Sequence, residues 1–287
     1  MPDVRIGVIG GSGLYQMEGL VVHEERPVAT PFGDPSEPYV VGELSGEPVA
    51  FLARHGRGHR LMPTELNFRA NIYGFKVLGV ERIVSVSAVG SMKLDYEPTD
   101  IVVPDQFLDR TRHRPDTFFG NGLVAHVSMA HPVCSTLVDL FCDAARSSGA
   151  RAHRGGTYVC MEGPQFSTRA ESEIYRQWGV DIIGMTALQE AKLAREAEIC
   201  YAALAMVTDY DCWHEEEDEV SGAAVMEVIE HNVAVAQEAL RRVIALIPEG
   251  MKSPYRGILR RSLVTAGRDV PEATKQALAP IVAPYLD

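Results

Sequence analysis

A chain of 287 residues, 46% of them hydrophobic, carries enough apolar side chain for one large core. Its formal net charge of −12 repels phosphate backbones and anionic headgroups, which argues against nucleic-acid and membrane partners and makes any anion site a local feature. Five cysteines (Cys134, Cys142, Cys160, Cys200 and Cys212) form no C-x-x-C pair and mostly keep apolar company, as suits reduced thiols. The N-terminal stretch has no basic region followed by an apolar one, and the longest apolar run, 199–207, is shorter than a bilayer span, so the expectation is a soluble, cytoplasmic protein.

In chain order, short β-rich runs stop at polar or glycine-rich clusters. "VRIGVI" ends at Gly10-Gly11-Ser12-Gly13, "PVAFLA" at Arg54-His55-Gly56, and "RIVSVS" at Ala88-Val89-Gly90-Ser91. "TYVCM" ends at Glu162-Gly163-Pro164, "VDIIG" at Met185-Thr186, and "YAALAMV" at Thr208-Asp209. Helical stretches lie between them: 64–78 stopped by Gly79, 132–148 by Gly149, 168–178 by Gly179, then 188–198. Val225, Val228, Ile229, Val233 and Leu240 repeat at helical spacing within 221–246, and a last helix starts at Pro271. The alternation is that of an α/β domain, in which ligands gather at the carboxyl ends of strands.

"VIGGSG" is not a dinucleotide fingerprint, because Gln16 stands where the third glycine belongs. It has no lysine for a P-loop, and Leu14 removes the nucleophile elbow. What remains is a turn whose amides and Ser12 hydroxyl can wrap an anion. "ARHGRGHR" puts three arginines and two histidines into an otherwise acidic chain, and Arg54 there offers a planar fork for two phosphate oxygens. The spacing of His55 and His59 imitates a helical metal pair, yet two glycines intervene and no H-E-x-x-H glutamate is present, so no metal is expected. Ser87 and Thr186 add hydroxyls at two more strand ends, although Thr186 also fits a plain helix cap. In "TDYD", Asp209 and Asp211 fit a cap, a turn or a calcium-type pair; being two apart, they also point one way from a strand end and can clasp the edge of a flat heterocycle. The acidic run 214–219 reads as a solvated loop.

These segments, with "MPTELNFRANIY", "EGPQFSTRAES" and "GMTALQEAKLAREAEICYA", resemble in collinear order the trimeric purine nucleoside phosphorylases over about residues 4–235. The resemblance implies a single domain over 1–287, with a central mixed β-sheet flanked by helices and a divergent tail from about 250. It implies phosphorolysis of 5'-methylthioadenosine by a homotrimer, with inorganic phosphate as co-substrate and no cofactor. Carried over by position, Ser12, Arg54, His55, Ser87, Ala88 and Thr186 would hold phosphate. Met185 would lie against the ribose, Phe166 and Ser167 would line the purine pocket, and Val225 and Met226 would face the 5' group. His126 would close the 5' pocket of a neighbouring copy.

Asp209 and Asp211 would read N7 and the exocyclic amine of the purine. A carboxylate accepts from a 6-amino group and repels a 6-oxo group, and an acid at 209 can protonate N7 as the glycosidic bond breaks. Gly184, Leu188-Gln189, Gly222 and Ala223 depart from the family pattern and leave the 5' substituent open. Another 5'-deoxy-5'-substituted adenosine, hydrolysis by a nucleosidase, and a non-enzymatic nucleoside sensor are the alternatives.

Overall fold

A computed structural model describes residues 4–11, 14, 17–214, 222–248 and 250–286. Its strands are β1 (Ile6–Gly10), β2 (Val21–Arg26), β3 (Tyr39–Leu44), β4 (Glu47–Ala53), β5 (Arg82–Ser91) and β6 (Ile101–Val103). They continue with β7 (Gln106–Arg110), β8 (Ala152–Arg154), β9 (Thr157–Met161), β10 (Ile182–Gly184) and β11 (Cys200–Asp209). The helices are α1 (Phe68–Val77), α2 (Ser135–Ser147), α3 (Arg169–Gln177), α4 (Ala187–Glu196), α5 (Gly222–Leu246), α6 (Glu272–Ala277) and α7 (Ala279–Val282). The strands join in one mixed sheet along β2-β3-β4-β1-β5-β10-β9-β7, with β11, β6 and β8 branching from β5.

The branch at β5 positions the site. Residues 82–85 pair in parallel with β1 on one edge, and the same edge is taken up again only at Gly90 and Ser91, by antiparallel β10. Its other edge runs in parallel with β11 from Arg82 to Gly90. On the first edge, therefore, Val86, Ser87, Ala88 and Val89 have no strand neighbour among the described residues. Both β5 and β11 are buried for nearly their whole length, as strands covered on both faces are.

Helix boundaries follow local chemistry. Asn67 caps α1 by accepting from the Ala70 amide, and Thr168 with Glu171 forms a capping box on α3. Gly79, Gly149 and Gly179, read as helix stops, all have positive φ (88°, 90° and 77°), the left-handed conformation that glycine adopts without steric penalty. In α5, Ala236, Ala239, Leu240, Val243 and Ile244 are buried in the core. The last segment joins the same core through Leu259, Val270, Leu278, Ile281 and Val282, and the Tyr255 hydroxyl donates to the Val133 carbonyl at 2.6 Å. No helix among the described residues is long and apolar enough to cross a membrane.

Candidate active site

A cavity of about 640 Å³ opens where β1 and β10 part. Arg54, His55, Ser87, Ala88, Met185 and Thr186 line it, as do Phe166, Asp209, Asp211, Val225 and Met226. Ser12 and residues 215–219 lie outside the described residues. Ser167 is not part of the lining; its carbonyl accepts from the Cys212 thiol at 3.3 Å. His126 is exposed and away from this cavity, its amide bonded to the Ser262 carbonyl at 2.8 Å.

One end of the cavity gathers the hydrogen-bond donors that an anion requires. The Val86 carbonyl accepts from Arg54 Nη1 at 3.0 Å on the open edge of β5, and by the two-residue repeat of a strand the Ala88 amide faces the same way. The Ser87 hydroxyl is buried with no partner among the described residues. Thr186 occupies the cap position of α4 yet makes no side-chain cap bond, so its hydroxyl can serve a ligand, while the Thr186 and Ala187 amides turn to the buried Tyr158 hydroxyl. His55 Nδ1 lies 2.8 Å from the Leu61 carbonyl and must carry the hydrogen. Burial, reinforced by the Arg54 charge, holds this imidazole down to about 4, so it is neutral at pH 7 and its second nitrogen is an acceptor. His59 stacks on it, centroids 4.3 Å apart.

Arg54 differs from the reading of its sequence. Its fork does not face the cavity as a free pair of donors; it is turned onto Glu190, with Nε 2.5 Å from Oε1 and Nη2 3.3 Å from Oε2. Burial disfavours the guanidinium charge, but Glu190 against it more than offsets this and keeps it protonated. Sequence reasoning missed Glu190 because "LQEAKLARE" gives it the look of an exposed helix carboxylate, whereas it is 2% exposed.

The opposite end holds the acidic pair. Only Asp209 belongs to β11; the register slips between Val207 and Asp209, and Asp211 sits in the following turn with φ of 53°. The pair converges through this turn rather than through strand alternation, which corrects the reasoning from i, i+2 spacing. Asp209 Oδ2 lies 2.7 Å from the Thr208 hydroxyl, and Oδ1 accepts from the Asp211 amide at 2.8 Å. Burial raises the Asp211 carboxyl, with a further push from the charge of Asp209. A Cβ at Gly90 would lie 2.8 Å from Asp209 Oδ1, so glycine is what gives the carboxylate its place. Thr208 and Gly90, both lining residues, were not singled out from sequence; a hydroxyl one residue before the acid was the available signal.

Arg114 ties the loops together. Its buried guanidinium donates to the carbonyls of Met185, Met161 and Glu162, bracing both the Met185 turn and the strand end that leads to Phe166.

The family model described as the phosphorylase superfamily matches residues 5–245. The S-methyl-5'-thioadenosine phosphorylase of Koribacter versatilis is 56% identical over 283 residues, which is 99% of this chain and 97% of that one. The protein of the same name from Geobacter sulfurreducens is also 56% identical, over 98% of this chain and 99% of its own. Among solved structures, a methylthioadenosine phosphorylase from an Antarctic soil metagenomic library superposes with TM-score 0.93 at 49% identity, covering 98% of this chain and all of that one. The Schistosoma mansoni methylthioadenosine phosphorylase in complex with adenine gives 0.85 at 36% identity, covering 91% and 99%.

Proposed function

From the premise that this chain belongs to the phosphorylase superfamily, we propose that it cleaves 5'-methylthioadenosine with inorganic phosphate, releasing adenine and 5-methylthioribose 1-phosphate. The observation that carries the reading is one cavity with the unengaged hydroxyls of Ser87 and Thr186 at one end and a carboxyl pair at the other.

Phosphate is held by Ser87, the Ala88 amide, Thr186 and one N–H of Arg54, and neutral His55 accepts from a protonated phosphate oxygen; the phosphate role expected of Ser12 falls outside the described residues. A phosphate oxygen forms the bond to C1' while the C1'–N9 bond breaks and its electron pair moves into the purine. The acid pair supplies the proton that N7 takes up, a general-acid contribution of about 10² to 10⁴ in rate. Asp209 and Asp211 together accept from the 6-amino group, which sets the preference for aminopurines. The dianion faces the cationic ribosyl centre, so its charge stabilises the transition state as it attacks. Met185 lies against the ribose, Phe166 against the purine, and Val225 and Met226 against the 5' group, while Ser167 stands behind the lining. In a homotrimer, exposed His126 serves the 5' pocket of an adjacent copy.

The test is adenine release from methylthioadenosine, adenosine and inosine, with and without phosphate. The reading requires release that depends on phosphate and is fastest with methylthioadenosine. Phosphate-independent release makes the protein a nucleosidase, and binding without release makes it a sensor.

A further inference from the structure

Arginine has five N–H donors and no acceptor. In Arg54, Nε donates to Glu190 Oε1 at 2.5 Å, Nη2 to Ser85 Oγ at 2.7 Å and Glu190 Oε2 at 3.3 Å, and Nη1 to the Val86 carbonyl at 3.0 Å. A single Nη1 hydrogen is left without a partner among the described residues. The carboxylate that engages the fork is itself fixed, since Glu190 Oε2 accepts from the Ser85 and Tyr201 hydroxyls, each at 2.8 Å. Arg54 and Glu190 are 3% and 2% exposed, so water neither loosens nor screens the arrangement.

We propose that Glu190 is a positioning residue for phosphorolysis, which limits Arg54 to one directed N–H toward phosphate and cancels most of the guanidinium charge there. This rests on the phosphorylase reading above and names a part of that site which the sequence did not reveal. A guanidinium free to lay its fork over two phosphate oxygens grips the nucleophile in the ground state and draws off charge that must face the ribosyl cation. With Glu190 in place, phosphate meets mainly neutral donors: the Ser87 and Thr186 hydroxyls and a strand amide. Binding is weaker and attack is faster.

The test is Glu190→Gln, which keeps the shape and removes the counter-charge, read by phosphate titration calorimetry and steady-state kinetics. The expected result is phosphate bound about 5-fold more tightly, kcat lowered about 10-fold, and the nucleoside KM within about 2-fold of wild type. Unchanged or weaker phosphate binding in a folded variant overturns the proposal and leaves an ion pair that serves only the fold. Where Glu190→Gln does not fold, Glu190→Asp takes its place: it keeps the charge but is one methylene too short to span Nε and Nη2. Its phosphate affinity should rise about 2-fold with a matching fall in kcat, and wild-type values for both overturn the proposal. A wild-type protein whose turnover ignores phosphate overturns the phosphorylase reading first, and this inference with it.

Discussion

The two ends of the cavity are made of different material. At the end proposed for phosphate Arg54, Ser87 and Thr186 are 3%, 8% and 5% exposed and sit just past β4, within β5 and at the start of α4. At the nucleoside end Phe166 and Met226 are 40% and 38% exposed, carried by a loop and by the first turns of α5. The anion side is thus organised before substrate arrives; at the other end the acidic pair, with Asp211 4% exposed and Asp209 on β11, is equally fixed, and only the walls carried by Phe166 and Met226 are presented on surface elements. Chemistry shared with other phosphorylases belongs on the first, and substrate choice on the second.

The sharpest way to break this division is Asp209→Asn. It removes the acid and should lower kcat on methylthioadenosine by about 10² to 10⁴, raise relative activity on inosine, and leave phosphate affinity alone. Steady-state kinetics on both nucleosides would show this, and a variant that keeps its aminopurine preference places the purine elsewhere.

At the other end, Arg54→Met strands a buried Glu190 carboxylate, expected to remove about 3–5 kcal/mol of stability together with phosphate binding. Adding Glu190→Met should recover most of the stability in denaturant melts but none of the phosphate binding. Recovery of both would mean that the pair is only a core element.

Gly90→Ala tests the join between the two ends. Its Cβ would press on Asp209 Oδ1 at 2.8 Å and on Ile183 Cγ2 at 3.0 Å, so the nucleoside kcat/KM should fall about 10-fold to 10²-fold while phosphate affinity holds.

A smaller effect belongs to His55, whose folded value of about 4 lies below the usual 6.5. Between these values the unfolded chain binds a proton that the folded one does not, so stability falls as pH drops through the window, by at most about 3 kcal/mol. Above pH 6.5 the contribution is constant. Urea melts at pH 7 and 4.5 should show the loss, and His55→Phe should flatten it.

Most strand ends were readable because β1, β4, β9, β10 and β11 are apolar runs that stop abruptly at glycine, hydroxyl or charge; β5 instead runs on through Ala88, Val89 and Gly90 to Ser91, so Ser87 and Ala88 reach the cavity from within a strand. Strand β2 escaped notice because it is an edge strand with an exposed pattern, and β6 and β8, at three residues each, are too short for any period to register. Strands β3 and β7 were also left unassigned. Within the site, residue types were legible but orientations were not. Nothing local to "ARHGRGHR" announces that Arg54 will be engaged by a carboxylate 136 positions away, because that contact exists only once α4 packs against β5 and β11. Likewise the turn that brings Asp211 beside Asp209 depends on a register slip in β11.

The central claim is that phosphate, not water, takes the sugar from the purine. Turnover of methylthioadenosine in phosphate labelled with oxygen-18, followed by mass spectrometry of the sugar product, tests it directly. The account predicts a sugar phosphate that retains all the phosphate oxygens, bridging one included, formed mole for mole with adenine. Free methylthioribose without label, released beside adenine at the same rate whether or not phosphate is present, would contradict it.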